Sequence, residues 1–208
     1  AEGESVSLDD YIGRMQEGQD KIYYITAETP AAARNSPHLE VFRKKGVEVL
    51  LLSDRVDEWL MSHLTEYKDK KFQSVAKGEL DLGELDTQED QEKQEKAAEE
   101  HKSLLDQTRQ ALGDTVKEVR VSSRLTDSPA CLVVDDYDMS QNLARVLKQL
   151  GQDAPMPTPI MELNIDHPIV NRMEGETDDE RFADLAKLLY EQSLLAEGGQ
   201  LEDPAAFV

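Results

Sequence analysis

SPHLEVFRKKGVEVLLLSDRVDEWLMSHL, residues 36–64, decides how the first part of this chain folds. His38 to Lys45 carries apolar Leu39, Val41 and Phe42 and ends in Lys-Lys-Gly. That is helix C-terminal chemistry, because lysines meet the unpaired carbonyls and glycine takes the left-handed turn. Val47 to Leu52 is almost unbroken apolar sequence, the pattern of a buried strand covered on both faces. Ser53 or Asp54 can cap a second helix that carries Val56, Trp59, Leu60 and Leu64.

The same alternation extends upstream and downstream. Ser7 caps a helix with Leu8, Tyr11, Ile12 and Met15 on one face, closed by Gly18, and KIYYIT at 21–26 is β-branched and aromatic, hence strand-like. Pro30 to Arg34 starts a short helix that Pro37 interrupts, and Lys71 to Val75 reads as a weaker edge strand. Helix and strand in turn predict an α/β layer on a small parallel or mixed sheet. GELDLGELDT at 78–87 is a polar, glycine-punctuated connector and the expected domain boundary.

Beyond it, one long helix is predicted over 88–112. Its first turns are polar on every side, with Glu89–Lys93 and Glu92–Lys96 at stabilising spacing, and apolar residues begin only at Ala97, Leu104, Leu105 and Leu112. Strands are predicted at Val116–Val121, Ala130–Val134 and Ile160–Ile165, and an amphipathic helix at Ser140–Leu150. APMPTP at 154–159 is a stiff connector. A short helix at Pro168–Met173 precedes a longer one capped by Thr177, with acids in its first turn. This second part reads as α+β with a helical C-terminal end.

The chain has 208 residues and a net charge of −21. Residues 1–82 hold 11 basic and 16 acidic residues, and residues 83–208 hold 12 and 28. Such a surface repels phosphate backbones, so nucleic acid is not an expected partner. The single cysteine, Cys131, excludes an internal disulfide and sits in an apolar run as a core residue would. No run approaches the roughly 20 apolar residues of a membrane span, and Ala1 to Asp10 lacks the apolar centre of a signal peptide, so no membrane partner and a cytoplasmic location are expected. Both ends read as cut, since there is no initiator methionine and a helix starting at Asp203-Pro204 has about one turn.

A search for chemistry returns little. There is no glycine-rich phosphate loop, and His38, His63, His101 and His167 are far apart without metal-ligand spacing, so no catalytic, cofactor or metal residue is nominated. Asp136 to Ser140 lacks the glycine and closing acid of a calcium loop. Apolar residues are more informative. Trp59 is the sole tryptophan, a residue equally at home in a core or a recognition surface. Met139, Leu143, Val146, Leu147 and Leu150 form one helical stripe, packed on its own sheet or left open for a partner. In Thr177–Glu197 the apolar residues, including Leu185, Leu188, Leu189 and Leu195, cover more than one stripe. Such a helix needs partners on two sides: one can be its own domain and the other suits a second copy that Phe207 of the last helix would also meet, the alternative being a helix packed wholly within its own domain.

Residues 36–64 also resemble the heat-shock protein 90 chaperone family, most closely its bacterial members. So do SLDDYIGRMQEGQDKIYYIT at 7–26, KKFQSVAKGELDLG at 70–83, SSRLTDSPACLV at 122–133 and LLAEGGQLEDP at 194–204, in the family's order along nearly the whole chain. The resemblance implies a fragment: a small three-layer α/β module (1–82) from the end of the chaperone middle domain, and a connector with the solvated first half of a long helix (83–100). An α+β domain with a small sheet and C-terminal helices follows (101–208), the dimerisation domain, truncated in its last helix. It implies client-protein contact through Glu58, Trp59, Met139, Leu143, Val146 and Leu147, homodimerisation, and contact with other chaperones or co-chaperones. ATP and Mg, a stress-response role and the catalytic arginine would belong to the longer parent; no cofactor and no ATPase activity is expected here. The competing readings are a passive dimerisation scaffold and a small α/β enzyme acting on a metabolite.

Overall fold

A computed structural model describes residues 5–152, 155–201 and 203–207. Ala154 of the proline-rich connector and Val208 of the last helix lie outside them. The architecture is an α/β module followed by an α+β domain, each on its own small sheet. In the first, Ser7 and Asp10 form a reciprocal cap on α1 (Leu8–Gly13), and β1 (Lys21–Thr26) spans the predicted hexapeptide. Thr29 caps α2 (Pro30–Asn35), a 3₁₀ turn at Pro37–Leu39 leads into α3 (Glu40–Lys45), and Gly46 closes α3 at φ 67°. Asp54 and Asp57 cap α4 (Arg55–Met61). β2 is Leu50–Leu52, and β3 (Glu66–Tyr67) and β4 (Lys70–Ser74) form a hairpin whose turn residues Lys68 and Asp69 both take positive φ.

The sheet order is β2-β1-β4-β3, with β1 parallel to both β2 and β4. Two expectations are thereby corrected. The run 47–52 is not a doubly covered strand: only three residues pair, at the sheet edge, and Leu51 is exposed. Lys70–Ser74 is interior, because the hairpin strand β3 takes the edge that the weak pattern assigned to it. Tyr23 packs at 4.9 Å from the Phe42 ring in a core shared with Ile25, Leu39 and Val75. Leu82 is buried in that same core, so the connector 78–87 is fastened to the first sheet along its length.

The second part opens with Thr87 capping α5 (Gln88–Glu100), which buries no residue. The predicted 25-residue helix is broken at His101, whose φ of −98° and ψ of 15° separate α5 from α6 (Lys102–Leu112) and whose Nδ1 lies 2.7 Å from Glu174. Then come β5 (Glu118–Val121), β6 (Ala130–Val133), α7 (Gln141–Gln149), β7 (Ile160–Leu163), α8 (Pro168–Glu174), α9 (Asp179–Ala196) and α10 (Pro204–Phe207). Asp178, not Thr177, caps α9. The sheet order is β5-β7-β6, with β5 parallel and β6 antiparallel to β7. Every residue of β6 and β7 is buried, and α6 and α9 cover the sheet through Leu104, Leu112, Phe182 and Leu189.

One carboxylate ties the two sheets together. Glu162, in central strand β7, is 1% exposed, and Arg124 beside it is 0% exposed. Arg124 Nε donates to Glu162 Oε2 at 2.8 Å and Nη2 to Oε1 at 3.0 Å, while Arg120 Nη2 donates to Oε1 at 2.7 Å. The same guanidiniums reach back across the seam. Arg124 donates to the carbonyls of Val75 and Gly78, and Arg120 to that of Gly78 at 2.8 Å. Those carbonyls follow β4, where Lys77 pairs with Val134 in an isolated parallel bridge. Gly78 has φ +57°, a left-handed conformation that strains any larger residue, and a Cβ there would displace the Asp136 carboxylate. On the other side of the seam, Glu40 accepts the backbone N–H groups of Thr126, Asp127 and Ser128 at 2.6, 2.8 and 3.1 Å.

Burial pushes the Glu162 carboxyl up, but the charges of Arg124 and Arg120 outweigh it and hold the group below its ordinary 4.5. A depressed folded value means that this stabilisation is fully present above pH 4.5 and drains away as pH falls through the folded pKa. Glu162→Gln, which leaves two buried guanidiniums without their counter-charge, is expected to cost about 3–5 kcal/mol in urea unfolding. It should also lessen the loss of stability expected on acidification, leaving the share that belongs to other carboxylates such as Glu40. An unchanged midpoint would mean the pair contributes nothing to the seam.

Candidate functional site

The predicted contact residues converge because of Glu58. It is buried, so of the Glu-Trp pair only Trp59 presents its side chain to water. Glu58 Oε2 accepts from Ser140 Oγ and Oε1 from Asn142 Nδ2, both at 2.8 Å. Ser140 is the N-cap of α7, its own Oγ accepting from Leu143 N at 3.0 Å. The carboxylate therefore pins the start of α7 against α4, across the seam. Lys77 Nζ, donating to Asp138 O at 2.6 Å, holds the incoming loop beside it. Midway along α7, Arg145 donates to the carbonyls of Glu197 and Gly198 just after α9.

Held at its start by Glu58 and at its middle by Arg145, α7 buries Ala144, while Met139, Leu143, Val146 and Leu147 are half-buried and Leu150 is exposed. Trp59 on α4 is 63% exposed, with Val56 and Leu60 exposed on the same helix. The indole packs against His63 with ring centroids 4.7 Å apart and planes tilted by 39°, and stays largely exposed. Two short helices from different sheet regions, joined through Glu58, thus each carry exposed or partly exposed apolar side chains in a chain otherwise dominated by acid.

The pairing residues divide differently. Leu189 packs inside its own domain with Phe182, Ala186 and Ser193, which follow one stripe of α9, and so is withdrawn from the surface. Leu185 and Leu188 are half-buried and Leu195 is exposed, and at 100° per residue these three fall together on the neighbouring flank. Asp203 Oδ1 accepts from Ala205 N and Ala206 N at 3.0 and 3.1 Å to start α10, whose Phe207 is half-buried.

Sequence reasoning missed the seam itself: Glu40, Arg120, Arg124, Glu162, and Arg145 with Glu197. A signal was available, since Glu162 is the one charge within the apolar strand IMEL and had to be paired to be buried there. Cys131 is fully buried, and burial raises its thiol well above the usual value, which keeps it protonated and unreactive. Among the described residues, no group of three or more His, Cys, Asp or Glu is placed to hold a metal, and no helix is long and apolar enough to cross a membrane.

A family profile described as "Hsp90 protein" matches residues 1–208. The chain is 64% identical over 203 residues to chaperone protein HtpG of Alkalilimnicola ehrlichii, covering 98% of this chain and 31% of that protein. It is 60% identical to the chaperone proteins HtpG of Nitrosococcus oceani and Dechloromonas aromatica, in each case over 99% of this chain and 32% of the relative. The chain thus spans about a third of the length of the curated relatives it matches.

Removing the Glu58 clamp should free α7 without unfolding the domain. Hydrogen bonds to a charged acceptor contribute roughly 1.5–3 kcal/mol each. Glu58→Ala is therefore expected to speed amide hydrogen exchange over residues 140–147 by at least about tenfold, with β7 unaffected. Equal exchange in both proteins would show that α7 is held by something else.

Proposed function

The chain belongs to the Hsp90 family, and from that premise we propose that it is a molecular chaperone segment that binds unfolded or partly folded client proteins and pairs with a second copy of itself. The observation that supports this reading is the Glu58 clamp, which joins the helix bearing exposed Trp59 to the half-buried stripe of α7. An unfolded chain offers apolar side chains without fixed geometry. A tryptophan and a row of leucine, valine and methionine receive them by area and shape, with few directional demands. The strong negative charge keeps such a surface soluble while it is open.

Pairing is assigned to Leu185, Leu188 and Leu195 on the free flank of α9, with Phe207 of α10 joining and Leu189 supporting them from within. In this proposal residues 1–82 correspond to the small α/β part of the chaperone middle domain and 101–208 to the dimerisation domain, with the solvated start of α5 between them. ATP and Mg binding, hydrolysis and any co-chaperone contact are assigned to the longer parent, in the cytoplasm.

Trp59→Ser and Leu143→Ser are each expected to weaken binding of a fluorescently labelled unfolded client at least fivefold, measured by anisotropy. Because Trp59 is largely exposed, its replacement should shift stability by no more than about 0.5 kcal/mol. Loss of the unfolding transition in Trp59→Ser would make the residue a core element and end the proposal. Sedimentation over a concentration series should show a monomer–dimer equilibrium that Leu188→Asp with Leu195→Asp shifts to monomer. A dimer that forms while neither surface variant affects client binding would instead favour a passive scaffold, and nucleotide turnover by the chain would reopen an enzymatic reading.

A further inference from the structure

β2 lies outermost in its sheet and is open along one side. The amide of Ala27 donates to Leu52 O at 3.0 Å, and Leu52 stands opposite Thr26 in the parallel ladder. That parity turns the N–H and C=O of Leu50 and Leu52 toward β1, and those of Val49 and Leu51 away from it. Among the described residues, none bonds to the Val49 or Leu51 backbone on that outer side. An exposed edge is ordinarily blunted with proline or lysine, yet VEVLLLS at 47–53 has neither, its single charge being Glu48.

A groove of about 610 Å³ follows this edge, lined by β2 together with residues of α1, α2 and α3. Its charged lining is three arginines, Arg14, Arg34 and Arg43, against one carboxylate, Glu48. Arg14 and Glu48 cancel each other, because Nε and Nη2 donate to the carboxylate at 2.8 and 3.0 Å. Arg34 and Arg43 are both exposed, and Arg43 spends one donor on the neutral carbonyl of Arg34. Neither pairs with a carboxylate among the described residues, so the groove keeps two uncancelled cations in a chain of net charge −21.

We propose that β2 receives an extended acidic segment of another polypeptide as an added strand. The segment's backbone pairs with the outward N–H and C=O groups of Val49 and Leu51, its apolar side chains enter the groove, and the carboxylates alternating with them meet Arg34 and Arg43. Main-chain pairing is largely indifferent to sequence, so the two arginines supply the selection. No residue of α4 or α7 lines the groove, and the inference stands apart from the client-binding reading.

Fluorescence anisotropy of the whole chain with a labelled short peptide alternating valine and glutamate tests it. The expected result is saturable binding, at least about tenfold weaker in Arg34→Glu and in Leu51→Pro. Proline at 51 leaves the ladder to β1 intact, since the N–H it removes faces away from that strand. The chain's own charge disfavours non-specific uptake of an acidic peptide, so saturation is diagnostic. Amide exchange at Leu51 should slow when the peptide binds. Absence of saturable binding, equal binding by the two variants and the unmodified chain, or equal binding of a valine–lysine peptide would overturn the proposal. So would a dimer that Leu51→Pro converts to monomer, which would assign the edge to a second copy. Should Leu51→Pro fail to fold, a peptide with N-methylated valines replaces it and is expected to lose binding to the unmodified chain.

Discussion

The buried contact between Arg124 and Glu162 is the constraint on which the rest of the structure depends. A carboxylate in the middle strand of a three-stranded sheet would be prohibitively costly if it stood alone. Here it is met by two guanidiniums and by Ser122 Oγ at 2.9 Å. The arginines are larger than the job of neutralising it requires. Their remaining donors satisfy the carbonyls of Val75 and Gly78, which leave the first sheet at the point where the chain crosses to the second. One polar cluster therefore solves two problems, a buried charge and a set of interrupted ladder carbonyls. It makes the relative placement of the sheets a matter of directed hydrogen bonds instead of apolar contact alone.

Directed bonds fix geometry where apolar packing leaves latitude. Glu40 on the three successive N–H groups of 126–128 and Glu58 on the cap of α7 repeat the device at the two flanks of the seam. Glu40 and Glu58 accept donors from across the seam, whereas Glu162 accepts from its own side and reaches the first sheet region through Arg120 and Arg124. The consequence is positional: α4 and α7, which carry Trp59 and Leu143 84 residues apart in sequence, are brought together because a carboxylate next to the tryptophan is the partner of a helix cap.

Elements whose signals are local were legible in the sequence. β1 carries its own β-branched and aromatic run, Ser7 and Asp54 cap the helices that follow them, and Gly46 ends α3 in the left-handed region. What failed depended on neighbours. The apolar run at 47–52 and the weak run at 70–74 exchange their expected places, because edge or interior position is decided by which strand pairs next to which, and a two-residue hairpin strand was invisible to pattern. The break at His101 has no glycine or proline to announce it. At the candidate site, Trp59 and the α7 stripe were nominated from residue type and from the family resemblance. The inward turn of Glu58 was not foreseen, since the serine and asparagine it meets lie more than 80 residues away.

A double-mutant cycle on client affinity tests most directly whether the two helices act as one surface. Affinities for a labelled unfolded client would be measured for the unmodified chain, Trp59→Ser, Leu143→Ser and the double variant. If both side chains meet the same stretch of client, the second substitution costs less once the first is made, and the cycle leaves a coupling of about 0.5 kcal/mol or more. Losses that simply add, or a tryptophan substitution without effect, would contradict a shared surface and return α4 and α7 to separate roles.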